Sequence, residues 1–271
     1  VFAGPATFAF LAVVIVPFLY GVYLTFTSWD GVSSNKPFVG LKNYAAVVAD
    51  SSFWQSLGLT LLYVVVSVIL VNVIGFLLAL LVTGKIKGKN FFRAGFFTPN
   101  LIGGIILGYV WQLLLNGLLL QINKTLTYSS VYGFWGLVIL MCWQQIGYMM
   151  IIYIAGIQNI PGELIEAAQI DGANKGQLLK HVIIPMVMPS ITICTFLTLT
   201  NSFKLFDQNL ALTNGEPSNM SEMLALNIFN TFYGRTGWEG VGQAKAVIFF
   251  ILVGAIAMIQ NRLTRSKEVQ Q

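Results

Sequence analysis

The fold class this sequence predicts is an all-α, polytopic membrane protein with six transmembrane helices, on three observations. Charged residues make up only 9% of the chain, against 56% hydrophobic, a balance far from that of soluble domains. Six stretches carry no Asp, Glu, Lys or Arg: 1–29, 51–84, 94–123, 125–162, 181–203 and 246–261. The apolar runs are continuous and do not alternate, which excludes a transmembrane barrel. In hydrocarbon every backbone N–H must find an acceptor within its own segment, so such runs fold as helices.

A crossing needs roughly 20 apolar residues, and the first five stretches each supply one. The predicted spans lie near 5–27, 58–83, 95–116, 132–156, 182–202 and 243–262. Span one carries Pro17, which predicts a kink. Its length and the five spans after it distinguish it from a cleaved signal peptide. The sequence starts at Val1, so a cytoplasmic tail ahead of it is expected to be missing here. An outer segment follows, in which Phe38–Tyr44 reads as the start of a short amphipathic helix on the membrane. Span two ends at Gly84, where a basic loop begins.

Span three opens around Pro99-Asn100 and carries Gly104 and Gly108, a small-residue spacing that lets helices approach closely. The fourth stretch has a polar start, Thr125–Ser130, and therefore holds one span, with Trp143-Gln144-Gln145 and Gly147-Tyr148 inside it. A polar helix over 161–173 separates spans four and five. Pro161 suits its first turn, where a missing N–H costs nothing, and Gly172 suits the position that ends it. Glu163, Glu166 and Ile170 share one face, and Leu164, Ala167, Ala168 and Asp171 the next. The paired alanines let a partner's backbone come close, and Glu166 offers a charge for a partner's Arg to read. Span five starts with Pro185 and Pro189, which predict a bend or a helix start. The segment from Lys204 to Gln243 reads as the longest loop. The last stretch is short, but Val241–Ala244 and other neutral neighbours extend it past Lys245. No repeat or low-complexity linker divides residues 1–271, which predicts a single domain.

Lys and Arg orient the spans. One set of loops holds nine basic residues (Lys85, Lys87, Lys89, Arg93, Lys175, Lys180, Arg262, Arg265 and Lys267) and four acidic ones, Glu163, Glu166, Asp171 and Glu268. The other set holds six of each, so the net charge of +5 sits on one side. That side is predicted cytoplasmic, with the 161–173 helix and the C-terminus on it. Basic charge here reports topology and gives no reason to expect nucleic acid as a partner.

Little in the sequence could perform chemistry. Gly84-Lys85-Ile86-Lys87-Gly88-Lys89-Asn90 resembles a phosphate-binding loop in letters only: its glycines are too close, and no Ser or Thr follows the Lys. Energy is therefore expected from a partner. His181 is the single histidine and reads as structural. Cys142 and Cys194 sit in apolar spans as small buried residues. No enzyme, metal site or cofactor is expected in this chain. Polar groups within spans are costly in hydrocarbon and face a cavity or another helix. Asn72, Gln112, Gln144, Gln145 and Asn201, with Tyr109 and Tyr148 nearby, form the candidate solute pathway. Amides bind hydroxyls and aromatic faces cover C–H faces, which suits a neutral, hydroxyl-rich solute. Interhelical hydrogen bonding is the competing reading for each of these residues.

At Glu166-Ala167-Ala168, Asp171-Gly172-Ala173, Ile184-Pro185 and Pro189 the chain resembles the membrane subunits of binding-protein-dependent ABC importers, whose EAA loop carries these residues at this spacing. Leu179 and Gly176 depart from the usual pattern without removing its charge or its turn. Phe38–Tyr44 and Phe206–Pro217 are similar to stretches of the sugar-importing branch, near the maltose and glycerol-phosphate permeases. Glu216 stands where a second Gly is usual, and the loop from Gly117 to Val131 is short for the family. The resemblance implies a cell-membrane subunit that pairs with a second, homologous permease. Two cytoplasmic ATPase subunits would hold the ATP and Mg and grip a coupling helix through Glu163, Glu166, Ala167, Ala168, Asp171 and Gly172. An extracellular binding protein would deliver a sugar or oligosaccharide for alternating-access import. A facilitator or secondary transporter working without ATP is the alternative.

Overall fold

The computed structural model describes residues 3–84 and 87–266; Lys85, Lys267 and Glu268, counted above for orientation, lie outside them. Helix α1, Gly4–Leu24, widens into a π-helical turn over Leu11–Ile15, just ahead of Pro17. A proline ring presses on the carbonyl four residues back, here Val13, and has no N–H to bond it. The wider turn makes room for the ring. Most side chains of α1 point away from the rest of the chain, Phe8 and Val13 among the most exposed.

After an isolated antiparallel bridge between Thr27 and Phe38 comes α2, Lys42–Ala49. Asn43 donates to the carbonyls of Thr25 and Thr27, 2.8 Å each. This short helix is thereby tied to the end of α1 and is not simply laid on the membrane. Helix α3, Ser51–Thr83, starts well before residue 58 because Asp50 caps it, accepting from the Ser52 amide at 3.0 Å.

The third span differs from its prediction. In place of one helix over 95–116 there is α4, Lys89–Phe97, then a tight turn over Thr98–Leu101, then α5, Gly104–Leu119. Pro99 sits in the turn, and its absent N–H ends regular hydrogen bonding there. Helix α6, Ser130–Gln158, is the fourth span, and α7, Gly162–Ile170, the short polar helix.

The fifth span is a bent pair: α8, Lys175–Met186, and α9, Met188–Phe203, meet at 70°. Pro185 and Pro189 flank the bend at Val187, and a π-helical turn over Leu179–Ile183 accommodates Pro185. The span begins at Lys175, earlier than residue 182, because Asn174 and Gln177 form a reciprocal capping box. The stretch read as a loop from Lys204 to Gln243 contains two helices, α10 (Asp207–Leu212) and α11 (Leu224–Gly234), and the start of a third, α12 (Glu239–Arg265). Five of these helices are long and apolar enough to cross a bilayer, and the bent pair makes a sixth crossing.

The core forms around α3 and α6. Tyr63, Leu137, Leu140 and Met141 pack on Leu212 and Met223 toward the outer end, while Val71, Ala79, Met149, Tyr153 and Cys194 pack toward the inner one. Gly147 of α6 lies under α4: a Cβ there would run into the Phe96 carbonyl oxygen, a backbone atom that cannot step aside. Gly147→Ala should therefore unseat α4. Overpacking costs about 1–3 kcal/mol, which should appear as a drop of several degrees in the unfolding temperature of the purified chain, roughly 2–8 °C. Gly58→Ala, where a Cβ would meet nothing within 4 Å, should leave that temperature unchanged or slightly raised, since Ala suits a helix interior better than Gly.

Candidate functional site

Two regions gather the residues that the sequence pointed to. The first is α7. Its end is closed by a full hydrogen-bonded cap: the Ala173 amide donates to the Ala168 carbonyl at 2.9 Å, and that of Gly172 to Gln169 at 3.1 Å. Gly172 takes φ +77° to make this turn, a conformation that other residues adopt only with strain. Glu163 lies in the first turn, where a carboxylate suits the positive end of the helix. Glu163, Glu166, Ala167, Asp171 and Gly172 are exposed, and Ala168 is half-buried. Only Ile165 on this helix reaches the inner core, beside Ile160 and Val187. Asn174 then anchors the following helix: its side chain accepts from the Gln177 amide at 2.9 Å, and the Gln177 side chain accepts from the Asn174 amide at 2.8 Å. The result is a stiff polar rod fastened at one end to the bent fifth span, with its charges facing outward. His181, exposed, places Nδ1 3.2 Å from the Gln177 carbonyl, a local contact within the same helix.

The second region is a polar cavity of about 260 Å³, lined by Met141, Gln145, Asn201, Lys204, Asp207 and Gln208. Asn201 donates to Gln145 Oε1 at 3.3 Å. Beside them, Gln208 donates to Gln144 Oε1 at 2.9 Å, while Gln144 donates to the Ile102 carbonyl at 3.2 Å in the broken part of span three. The two glycines spaced four apart supply the packing that builds this wall. A Cβ on Gly104 would come 2.8 Å from the Cβ of Asp207, and one on Gly108 would come 2.5 Å from that of Ala211. Bare glycines let α10 lie directly against α5, and α10 carries Asp207 and Gln208 to the cavity.

Of the seven candidate pathway residues, Gln144, Gln145 and Asn201 are brought together here. Gln112 is close by but spends its amide on the Leu212 carbonyl, 3.0 Å away, holding α10 to α5. Tyr148 is half-buried with its ring centroid 6.4 Å from that of Phe97. Tyr109 points outward from α5 and lines none of this cavity. Asn72 is elsewhere. It accepts from the Tyr153 hydroxyl at 2.7 Å and donates to Thr198 at 3.3 Å and the Val68 carbonyl at 2.8 Å, tying α3, α6 and α9. Lys204, Asp207 and Gln208 were not among the candidates. They fall just past the end of span five, and only the glycine pair hinted that a neighbouring segment would fold back there.

A bundle of long apolar helices, with a broken third crossing, a bent fifth, a polar cavity between them and an exposed charged rod at the inner face, defines an integral-membrane transport subunit. The chain belongs to the family of binding-protein-dependent transport system inner membrane components, whose pattern matches residues 71–267. It is 44% identical to the probable starch degradation products transport system permease AmyD of Thermoanaerobacterium thermosulfurigenes, over 99% of this chain and 94% of that protein. It is 34% identical to the multiple sugar-binding transport system permease MsmF of Streptococcus mutans, over 93% and 90%. With the trehalose/maltose transport system permease MalF of Thermococcus litoralis it shares 32% identity, over 85% and 81%. The same fold occurs in a bacterial ABC transporter that imports the acidic polysaccharide alginate, with a TM-score of 0.80 at 18% identity over 97% of this chain and 93% of that one. The family is one of membrane components and not of catalysts.

Proposed function

We propose that this chain is the membrane-spanning subunit of an ATP-driven importer that passes a sugar or oligosaccharide from an extracellular binding protein to the cytoplasm by alternating access. The observation that carries the reading is α7: a capped, stiff, outward-facing helix with the EAA residues on it, fixed to a span that bends by 70° at Val187. A rigid element of this kind transmits movement, whereas a floppy loop would absorb it. Two cytoplasmic ATPase subunits grip α7 through Glu163, Glu166, Ala167, Ala168, Asp171 and Gly172, and they hold the ATP and Mg. Closure of that pair shifts the balance between outward- and inward-open bundles. A second, homologous permease completes the pathway.

The cavity supports a neutral, hydroxyl-rich cargo. Gln145, Asn201 and Gln208 offer amide donors and acceptors, and Lys204 and Asp207 balance each other in charge. The names of the relatives point the same way. The test is uptake by vesicles holding the complete complex and its binding protein, with a panel of radiolabelled mono- and oligosaccharides. Accumulation should require ATP on the α7 side and should stop without the binding protein. Equal flux with no nucleotide would instead mark a facilitator and overturn the reading.

A further inference from the structure

We propose that the niche between α4 and α6 is a binding site for the phosphate of an anionic phospholipid of the inner leaflet, with the Arg93 guanidinium as its receptor. Arg93 projects from α4 against the last turns of α6. Two of its nitrogens, Nε and Nη2, are buried and have no hydrogen-bond partner among the described residues. A cation left unsatisfied at a membrane-embedded surface is expensive, so Arg93 favours an anion that can reach it from the lipid side. Arg93 lines a cavity of about 230 Å³ with Ile151, Ile154, Ala155 and Gln158. The guanidinium is a planar fork that matches two phosphate oxygens at once. The wall beside it is aliphatic, suited to glycerol and the first methylenes of an acyl chain, and the Gln158 amide stands at the cytoplasmic end.

Among the described residues, the protein supplies no anion of its own nearby. No Asp or Glu occurs between Gly84 and Gly162. Glu163, Glu166 and Asp171 stand exposed on α7, and the two ion pairs among the described residues use Asp50 at the outer end. The flanking groups favour lipid over a protein carboxylate. Phe91, Phe92 and Phe96 are exposed on α4, as on helices that lie in the headgroup boundary. Lys87 and Lys89, exposed on the same approach, draw an anionic surface closer. The inference depends on the orientation of the spans and is independent of the cargo and of ATPase docking.

The experiment is native mass spectrometry of the full-length chain in detergent, titrated with phosphatidylglycerol or with phosphatidylcholine. One tightly held phosphatidylglycerol should appear, preferred at least about tenfold over phosphatidylcholine, and Arg93→Gln should reduce that preference to about twofold or less. Arg93→Lys should keep part of it. Ala155→Phe, which fills the niche while leaving the charge in place, should lose it as Arg93→Gln does, so a folding defect in one variant does not decide the outcome. Millimolar inorganic phosphate should not displace the lipid. Unchanged phosphatidylglycerol binding in both Arg93→Gln and Ala155→Phe would overturn the site. So would a preference lost through Lys87→Gln and Lys89→Gln alone, displacement by free phosphate, or no preference in the wild-type chain.

Discussion

Glu166→Lys should abolish transport while leaving the subunit folded and inserted. The side chain is exposed on α7 and lies on none of the contacts that hold the helix: the cap uses Ala168, Gln169, Gly172 and Ala173 backbone groups, and the core contact is Ile165. The exchange therefore costs the isolated subunit almost nothing. In the docked complex proposed above it should matter greatly, because a carboxylate matched to a partner's cation would become a second cation. Losing one member of a buried interfacial charge pair costs about 2–5 kcal/mol, which is roughly a 30- to several-thousand-fold loss of affinity. Co-purification with the ATPase subunits and solute-stimulated ATP hydrolysis should both fall to background, with membrane abundance at the wild-type level. Glu166→Gln, which removes attraction without adding repulsion, should be intermediate. Glu163→Lys should show a smaller defect, part of it from opposing the helix dipole, about 0.3–1 kcal/mol. Normal uptake with Glu166→Lys would remove α7 as the point of energy transfer.

What the sequence revealed and what it concealed follow from the range of the forces involved. Apolar stretches declare themselves locally, since the bilayer acts on each segment separately, and the residues of α7 are legible because a polar helix between spans has its start, its charges and its terminal Gly within a dozen positions. The prolines marked where α1 and the fifth span leave regular helix, as a kink and as a bend or helix start, but revealed neither the π-helical turns nor the 70° angle, which depends on packing against α6 and α12. The break in span three was only half legible: Thr98-Pro99-Asn100 and Gly103-Gly104 interrupt the apolar run, but 95–116 carries no charge and still reads as one crossing. Its cause is Pro99 together with the closeness of α4 to Gly147. Lys204, Asp207 and Gln208 were unreadable as one wall with Gln145, since that wall exists only once α10 folds back on Gly104 and Gly108. Asn72 shows the reverse case: as a polar residue in a span it invited a pathway reading, and its partners Tyr153 and Thr198, far away in sequence, occupy it.

Lys245 is the residue whose surroundings were least readable, and Lys245→Met should have the largest effect on folding. Counted by sequence among the outer basic residues, it is fully buried near the outer end of α12. Its ammonium sits 2.7 Å from Asp50 Oδ2 and donates to Asn227 Oδ1 and Thr231 Oγ1, both at 2.8 Å, so its three donors reach three oxygens. Asn227 in turn donates to Glu222 at 2.8 Å, and Arg235 lies 3.8 Å from Asp50 at the rim. The network joins the starts of α3 and α12 to α11. Removing the cation strands the Asp50 carboxylate, whose side chain is 9% exposed. Breaking one side of a buried pair costs about 3–5 kcal/mol, enough to lower membrane abundance severalfold. Asp50→Asn combined with Lys245→Met should recover much of the loss, because Asp50 no longer stands as a carboxylate without its cation, while Glu222 keeps its hydrogen bond from Asn227, and a double-mutant cycle on unfolding temperature checks this. Burial raises the Asp50 pKa, but the hydrogen bonds from Lys245 and Ser52 outweigh it, so the carboxyl titrates below its ordinary value of 3.8. A lowered carboxylate contributes its full stability above the ordinary pKa and loses it as pH falls through the lowered one. The gap between wild type and double variant should thus stay level from about pH 8 to about pH 5 and narrow only in stronger acid. A gap that closed already near neutrality would mean that Asp50 is not the charged partner of Lys245.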